Sequence, residues 1–368
     1  LAFYGDYTRG QQHYLNKTIA QPQYVANWWT AYSPKQAYNT NDYLANTWVK
    51  KVSNTFNAYF DYNFNVNVDN DFAVKVGMNA EDLTYNSNYL KSLTVLNPEI
   101  PTMNQTAGKD AAAVSESLAD RSTAGFFGRI NYNYKGIYLL EVNGRYDGSS
   151  QFKAGQKWAF FPSASVGYRI SEEKFFAPAK AYVDNLKIRA SYGSIGNQDI
   201  STSSLAWYPY IGTISTGSAD WVLPSGTLAN TVGMPTIVGT SMTWEKIKTL
   251  DFGLNAGFLD NSLTVEFDWY NRKNVGMLVP RNAVAAIGGF PNLPKENSGD
   301  LSTNGWELSI GYNHSFSNGL AVYATASLSD SKSKITKWNT STNLLTGNYE
   351  GEELVEIWGF ETADGYIT

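Results

Sequence analysis

Histidine and cysteine, the side chains that most often build metal centres and nucleophile–base pairs, are nearly missing. The 368 residues hold two histidines, His13 and His314, and no cysteine. Thiol catalysis, thiolate metal sites and disulfides are thereby removed. A Ser-His-Asp site has no nucleophile-elbow motif to build on. Carboxylates are plentiful, and glycosidase-type pairs meet only in a folded chain, yet nothing in their spacing points to such a pair. Asp69-Asn-Asp71 and Asp147-Gly-Ser-Ser150 carry oxygen ligands of the kind Ca²⁺ takes. The same residues make ordinary turns, and we read them as turns. Asp364-Gly365 lacks the remaining spacing of a Ca²⁺-binding loop. His314 shares a parity with Leu308, Ile310, Tyr312 and Phe316, and reads as an interface residue rather than a ligand. No catalytic residue, metal or cofactor is expected.

What the chain offers instead is aromatic surface. Trp 11, Tyr 25 and Phe 18 make up 15% of it, while charged residues reach 17%, against ~25% in an ordinary domain. Aromatic faces stack on the C–H faces of sugars, and loops over a rigid scaffold concentrate binding residues. Trp28, Trp29, Trp48, Trp207, Tyr208, Tyr210 and Trp221 are therefore the expected substrate contacts, with packing between loops as the competing role. A net charge of −5 carries no nucleic-acid footprint. The apolar content excludes disorder, and no run approaches the ~18–20 apolar residues of a helical membrane span.

The elements that would position these residues show a period of two. Phe56, Ala58, Phe60, Tyr62 and Phe64 alternate with Asn57, Tyr59, Asp61 and Asn63. Tyr138, Leu140, Val142, Gly144 and Tyr146 alternate with Leu139, Glu141, Asn143, Arg145 and Asp147. The pattern recurs at 72–79, 126–134, 159–170, 186–193, 248–258, 263–269, 304–316 and 319–330, and it specifies strands. A soluble sandwich would turn the apolar parity inward; a membrane barrel turns it to lipid and the polar parity to a wet lumen. Strands of about 10–14 residues suit a tilted crossing of a bilayer. Charges of both signs stand in mid-strand on the polar parity: Arg129, Glu141, Arg145, Arg169, Lys187, Arg189, Glu266 and Glu307. Those up to Arg189 are expected to line a lumen, pairing with one another or guiding a polar solute. Aromatics such as Tyr132, Tyr134 and Tyr138, or Trp269 and Tyr270, fall where interfacial girdles would lie.

Connections alternate in length. Short turns fall at Val68-Asp-Asn-Asp71, Tyr134-Lys-Gly136, Leu259-Asp-Asn-Ser262 and Ser317-Asn-Gly319, with Asn and Gly expected to supply positive φ. Between them lie long segments, at 13–51, 86–122, 275–303 and 331–353, as external loops require. For the turn at 259–262 to fall on the short side, 196–243 must hold zero or two spanning strands; zero is expected. The count is then about eleven strands, with a twelfth beginning near the end.

Several blocks resemble one family in order. They are Phe127-Gly-Arg-Ile-Asn-Tyr-Asn-Tyr-Lys-Gly136, Tyr138-Leu-Leu-Glu-Val-Asn-Gly-Arg-Tyr-Asp147 and Trp158-Ala-Phe-Phe-Pro-Ser-Ala-Ser-Val-Gly-Tyr-Arg169. Asp184-Asn-Leu-Lys-Ile-Arg-Ala-Ser-Tyr-Gly193 with Gly196-Asn-Gln198, Trp244-Glu-Lys246, Asn297-Ser-Gly-Asp300 and Glu356-Ile-Trp-Gly359 continue the series. Together they resemble the SusC/RagA group of TonB-dependent outer-membrane transporters. The resemblance implies an all-β, antiparallel transmembrane β-barrel, of which about 11–12 of an expected 22 strands lie here. Residues 1–368 then read as part of a single barrel domain, with the N-terminal plug and closing C-terminal strands outside this chain. It further implies a bacterial outer-membrane importer of oligosaccharides or peptides, energised by TonB through the plug and partnered by a SusD-like lipoprotein. The rival readings are a non-transporting binding or adhesion barrel and a soluble carbohydrate-binding β-module.

Overall fold

The computed structural model describes residues 1–20, 24–25, 35–36, 42–108, 114–199, 208–239, 241–280, 295–315, 319–338, 348–357 and 359. Strands account for nearly all of the regular structure. The first group comprises β1 (Ala2–Ala20), β2 (Tyr24–Val25), β3 (Lys35–Gln36), β4 (Tyr43–Asn67), β5 (Asn70–Val95), β6 (Thr106–Gly108) and β7 (Val114–Tyr134). Then come β8 (Tyr138–Ser149), β9 (Trp158–Arg169), β10 (Asn185–Asn197), β11 (Thr216–Val222) and β12 (Leu228–Val232). The series closes with β13 (Glu245–Phe258), β14 (Leu263–Pro280), β15 (Lys295–Ser315) and β16 (Ala321–Lys337).

Eleven long strands form one antiparallel meander in the order β1-β4-β5-β7-β8-β9-β10-β13-β14-β15-β16, with β6 added beside β5. Because β10 pairs directly with β13, the described residues between Asn197 and Glu245 add no strand to this sheet; their β11–β12 hairpin stands apart. Each short hairpin needs only its own turn chemistry. Lys135 and Gly136 take left-handed φ, as do Leu259, Asp260 and Asn261, whereas the turn after Asn67 needs none. Positive φ is thus not reserved for Asn and Gly: the ladders on either side impose it on Lys135, Leu259 and Asp260.

The strands are longer than the alternation suggested. β4 and β5 run 25 and 26 residues, about 80 Å of backbone, where a crossing needs about 9–11 residues. The pairing of β1 with β4 continues to Ala20↔Tyr43, and that of β5 with β7 to Leu90↔Val114. Much of 13–51, 86–122 and 275–303, expected as loop, is therefore ladder raised beyond the membrane. Above the bilayer both faces meet water, so alternation fades while backbone hydrogen bonding does not.

One face of this sheet is apolar and uncovered. Phe60, Val76, Phe126, Phe160, Val166 and Tyr192 are each more than half exposed. A soluble sandwich would have buried this face against a second sheet, so the soluble-module reading fails. No helix among the described residues is long and apolar enough to cross a membrane; here strands do so. Two aromatic belts edge the apolar band. Near the short turns, Phe64, Phe72 and Tyr132 stack at 5.1 and 4.7 Å, and Tyr138 stacks on Tyr168 at 5.1 Å. Towards the long loops, Tyr146 and Phe126 flank Trp158, and Phe252 stacks on Trp269. The eight residue steps from Tyr138 to Tyr146 span about 26 Å along the strand, the scale of a barrel's apolar band. Tyr270 does not join the belt, because its register partners Asp251 and Gly305 place it on the opposite face.

Candidate functional site

Register alone gathers the mid-strand charges. Lys75 pairs with Arg129 and Arg129 with Asn143; further along, Lys187 pairs with both Arg169 and Asn255, and Asn255 with Glu266. Cross-strand partners share a face, so Arg129, Glu141, Arg145, Arg169, Lys187, Arg189, Glu266 and Glu307 all project from the side opposite the apolar band.

Three of the four arginines are held by ion pairs. Arg129 pairs with Glu141 and donates through Nε to Asn131 at 3.2 Å. Arg145 pairs with Asp147 at 2.8 Å, reaches Asn79 at 2.9 Å and lies over the Phe127 ring. Arg189 pairs with Asp268 at 2.6 Å and donates to Asn255 at 3.2 Å. Glycines make the room. A Cβ on Gly125 would collide with Asp147 and stand 2.9 Å from Arg145 Nη2; one on Gly253 would stand 2.5 Å from Asp268 Oδ1. Arg169 is exposed at the turn end of β9, and Lys187 runs beside Gly167. The face thus presents fixed dipoles of both signs, suited to a polar solute and to no single charge.

The outer mouth carries the buried apolar cluster: Phe152, Phe161, Met242, Trp244 and Leu278. It forms where the β9–β10 register ends, at Ser163↔Gly193. The Trp244 ring lies 5.4 Å from both Phe152 and Phe161, and its Nε1–H donates to Lys157 O at 2.8 Å. Beside it, Glu245 accepts from Leu278 N at 2.7 Å and from Asn197 Nδ2 at 2.8 Å. Asn297 accepts from Thr243 N and donates to Thr243 O and Gly276 O. Composition alone gave no sign of this knot, but its members sit inside the blocks quoted above: Asn197, Trp244-Glu245 and Asn297. Those spacings were its signal.

The aromatic candidates separate. Trp28, Trp29 and Trp207 lie outside the described residues. Trp48 pairs with Leu15 and Asn88 and shares the face of Phe56, away from the polar side. Tyr208 is an anchor: its hydroxyl donates to Asp120 O at 2.6 Å and lies 3.3 Å from Ser150 Oγ. Burial raises its pKa above the ordinary value, opposed by the Ser150 hydrogen bond and reinforced by the Asp120 carboxylate. Tyr210 stands edge-on to it and reaches Ser150 O at 3.4 Å. Trp221, on β11, is 63% exposed and free to meet a ligand. His314 stacks on Tyr312 and lies 3.2 Å from Ser262 Oγ, beside the short turn. Among the described residues no cluster of His, Asp and Glu could hold a metal.

A family model described as "TonB dependent receptor-like, beta-barrel" matches residues 1–360. The chain belongs to this family. Its barrels reside in the outer membrane, which fixes the apolar face as the lipid face. Similar proteins include the TonB-dependent receptor SusC of Bacteroides thetaiotaomicron, 30% identical over 257 residues, 68% of this chain and 23% of the relative. TonB-dependent receptor P3 of Formosa agariphila is 29% identical over 277 residues, 72% of this chain and 26% of the relative. The chain therefore spans about a quarter of the length of these relatives. The RagAB peptide transporter structure superposes with a TM-score of 0.74 at 21% identity, covering 91% of this chain and 35% of that one. That likeness establishes a shared barrel fold.

Proposed function

We propose that the intact protein imports a polar oligomeric nutrient, an oligosaccharide or a peptide, through the lumen of its barrel. TonB supplies the energy and a SusD-like lipoprotein closes the outer mouth. The observation that supports this most is the polar face. It bears paired charges of both signs along its length, in a chain of the TonB-dependent receptor-like family. One structural neighbour is titled a peptide transporter, which supports the peptide class; exposed loop aromatics such as Trp221 support the oligosaccharide class. Residues 1–368 act in this reading as part of one barrel domain. β1 and the membrane-level part of β16 have no further strand partner among the described residues. Unpaired backbone in lipid costs several kcal/mol per group, so further strands of the longer protein close the barrel around a plug. Trp28, Trp29, Trp207 and Trp221 would meet the substrate above it.

Native mass spectrometry of the full-length protein from outer membranes, with co-purifying ligands released and identified, tests the reading. Bound oligosaccharide together with a lipoprotein assigns glycan import, and a mixed peptide population assigns peptide import. A deletion strain that grows normally on every oligomeric nutrient would sink import and leave a binding or adhesion barrel.

A further inference from the structure

The outward face carries a row of lysines just beyond the apolar band. On β13, Lys246 and Lys248 continue the parity of Leu250 and Phe252; the register has no shift between them and Phe258. Lys273 on β14 continues that of Trp269 and Phe267, and Lys334 on β16 that of Leu328. Lys248 stands directly opposite Lys273, and Lys273 opposite Ser302, which pairs with Lys334. Like charges in direct cross-strand register are destabilising, so two facing lysines on an outward surface need an anionic partner.

Partners in the chain are few. None of Lys246, Lys248, Lys273 and Lys334 makes an ion pair among the described residues; Glu353, the carboxylate bridged directly opposite Lys334 at that edge of the row, meets neighbouring Lys332 at 4.0 Å instead. Asp300, on β15, is engaged by Gly276 N at 2.8 Å, and Asp330 lies below the row, opposite Trp306. The clustering is local. On β5 the same face at a similar height carries Asp82, satisfied by Ser122.

Height selects the occupant. Lys248 lies four residues beyond Phe252 of the outer aromatic belt, about 13 Å along a tilted strand, which is headgroup level. Below the lysines, Asn271 and Asn304 form an amide pair one row down, and Asn271 also donates to Ser302 at 3.3 Å. Long lysine stems lie along the apolar wall while their ammonium groups rise to the interface.

We propose that Lys248, Lys273 and Lys334, supported by Lys246, form a binding site for the phosphate of an outer-leaflet lipid. Adjacent strands lie about 4.8 Å apart, so the three ammonium groups lie within reach of one phosphorylated headgroup. The acyl chains rest on the apolar surface of Phe252, Phe267 and Trp269. The site depends on the membrane orientation of the barrel and not on the imported substrate.

The test uses full-length protein in detergent micelles doped with phosphorylated lipid A or with the same lipid enzymatically dephosphorylated, read by native mass spectrometry. Wild type is expected to retain the phosphorylated form selectively. The triple variant K248Q/K273Q/K334Q should bind it about a hundredfold more weakly, taking about fivefold per lysine, while the triple arginine variant keeps the selectivity. Equal retention of both lipids by wild type, or unchanged retention in the glutamine variant, overturns the proposal. So does loss of a protein oligomer in that variant with lipid binding intact. Should the glutamine variant fail to fold, wild type alone decides: phosphate-selective retention must fall as salt rises from about 50 mM to about 500 mM, and salt-insensitive retention refutes the site.

Discussion

Arg189 on β10 and Asp268 on β14 meet at 2.6 Å across an intervening strand, β13, because Gly253 stands between them. Register places the three on one face, and the absent side chain gives the guanidinium its path. Gly125 plays the same part for Arg145, Asp147 and Asn79. Small residues thus set the charge pattern of the polar face as directly as the charged ones do.

Gly253→Ala should separate Arg189 from Asp268 and destabilise the barrel by about 1–3 kcal/mol, the usual cost of overpacking. Denaturant unfolding of the full-length protein in detergent measures it. D268N in the Gly253→Ala background should then cost less than D268N alone, since the pair is already broken. Additive effects would show that the glycine does not serve the pair.

Trp244→Ala should remove the centre of the mouth cluster and its hydrogen bond to Lys157 O. About 3–5 kcal/mol of local packing is at stake. The spanning strands do not depend on this ring, so the barrel should survive while 198–243 becomes a faster protease substrate. Equal cleavage of variant and wild type would count against the knot as the loop's anchor.

The Tyr208 hydroxyl gives a pH signature. Its pKa is raised above the ordinary 10.0, first by burial, so the folded state holds the proton more tightly than the unfolded loop. The anchoring contribution is complete below about pH 10 and is lost as pH rises through the raised value. Protease cleavage of the 208–239 loop should therefore quicken above pH 10 in wild type. Tyr208→Phe should be faster at neutral pH and flat across that range; a sloping profile in the variant would assign the effect to another group.

The raised ladders predict slow exchange where loops were expected. Amides at 44–52, 83–90 and 114–122 should show protection well above that of an exposed loop in hydrogen exchange on the full-length protein. Exchange at loop rates there would limit the strands to the membrane crossing.

Alternation over Phe56–Asn65 and Tyr138–Asp147 marked the strands and their two faces, because a side-chain period of two needs no long-range information. The shared face of Arg129, Glu141, Arg145 and Arg189 was legible in the same way; turn residues marked 135–136 and 259–261, and the alternation of short and long connections left zero or two spanning strands for 196–243, between which the pairing of β10 with β13 decided. Only the tertiary structure decided how far each ladder climbs beyond the bilayer, since hydrogen bonding between backbones continues after the hydrophobic pattern that reports it has ended. It also decided that Trp48 faces outward and Tyr208 is a tether, because a loop aromatic's role depends on which distant strand it meets. The partners Asp268, Asn79 and Asn255, the glycines beneath them and the facing lysines of β13 and β14 depend on register between strands. One residue of slip would send each to the other face, and no local pattern records which register the packed sheet selects.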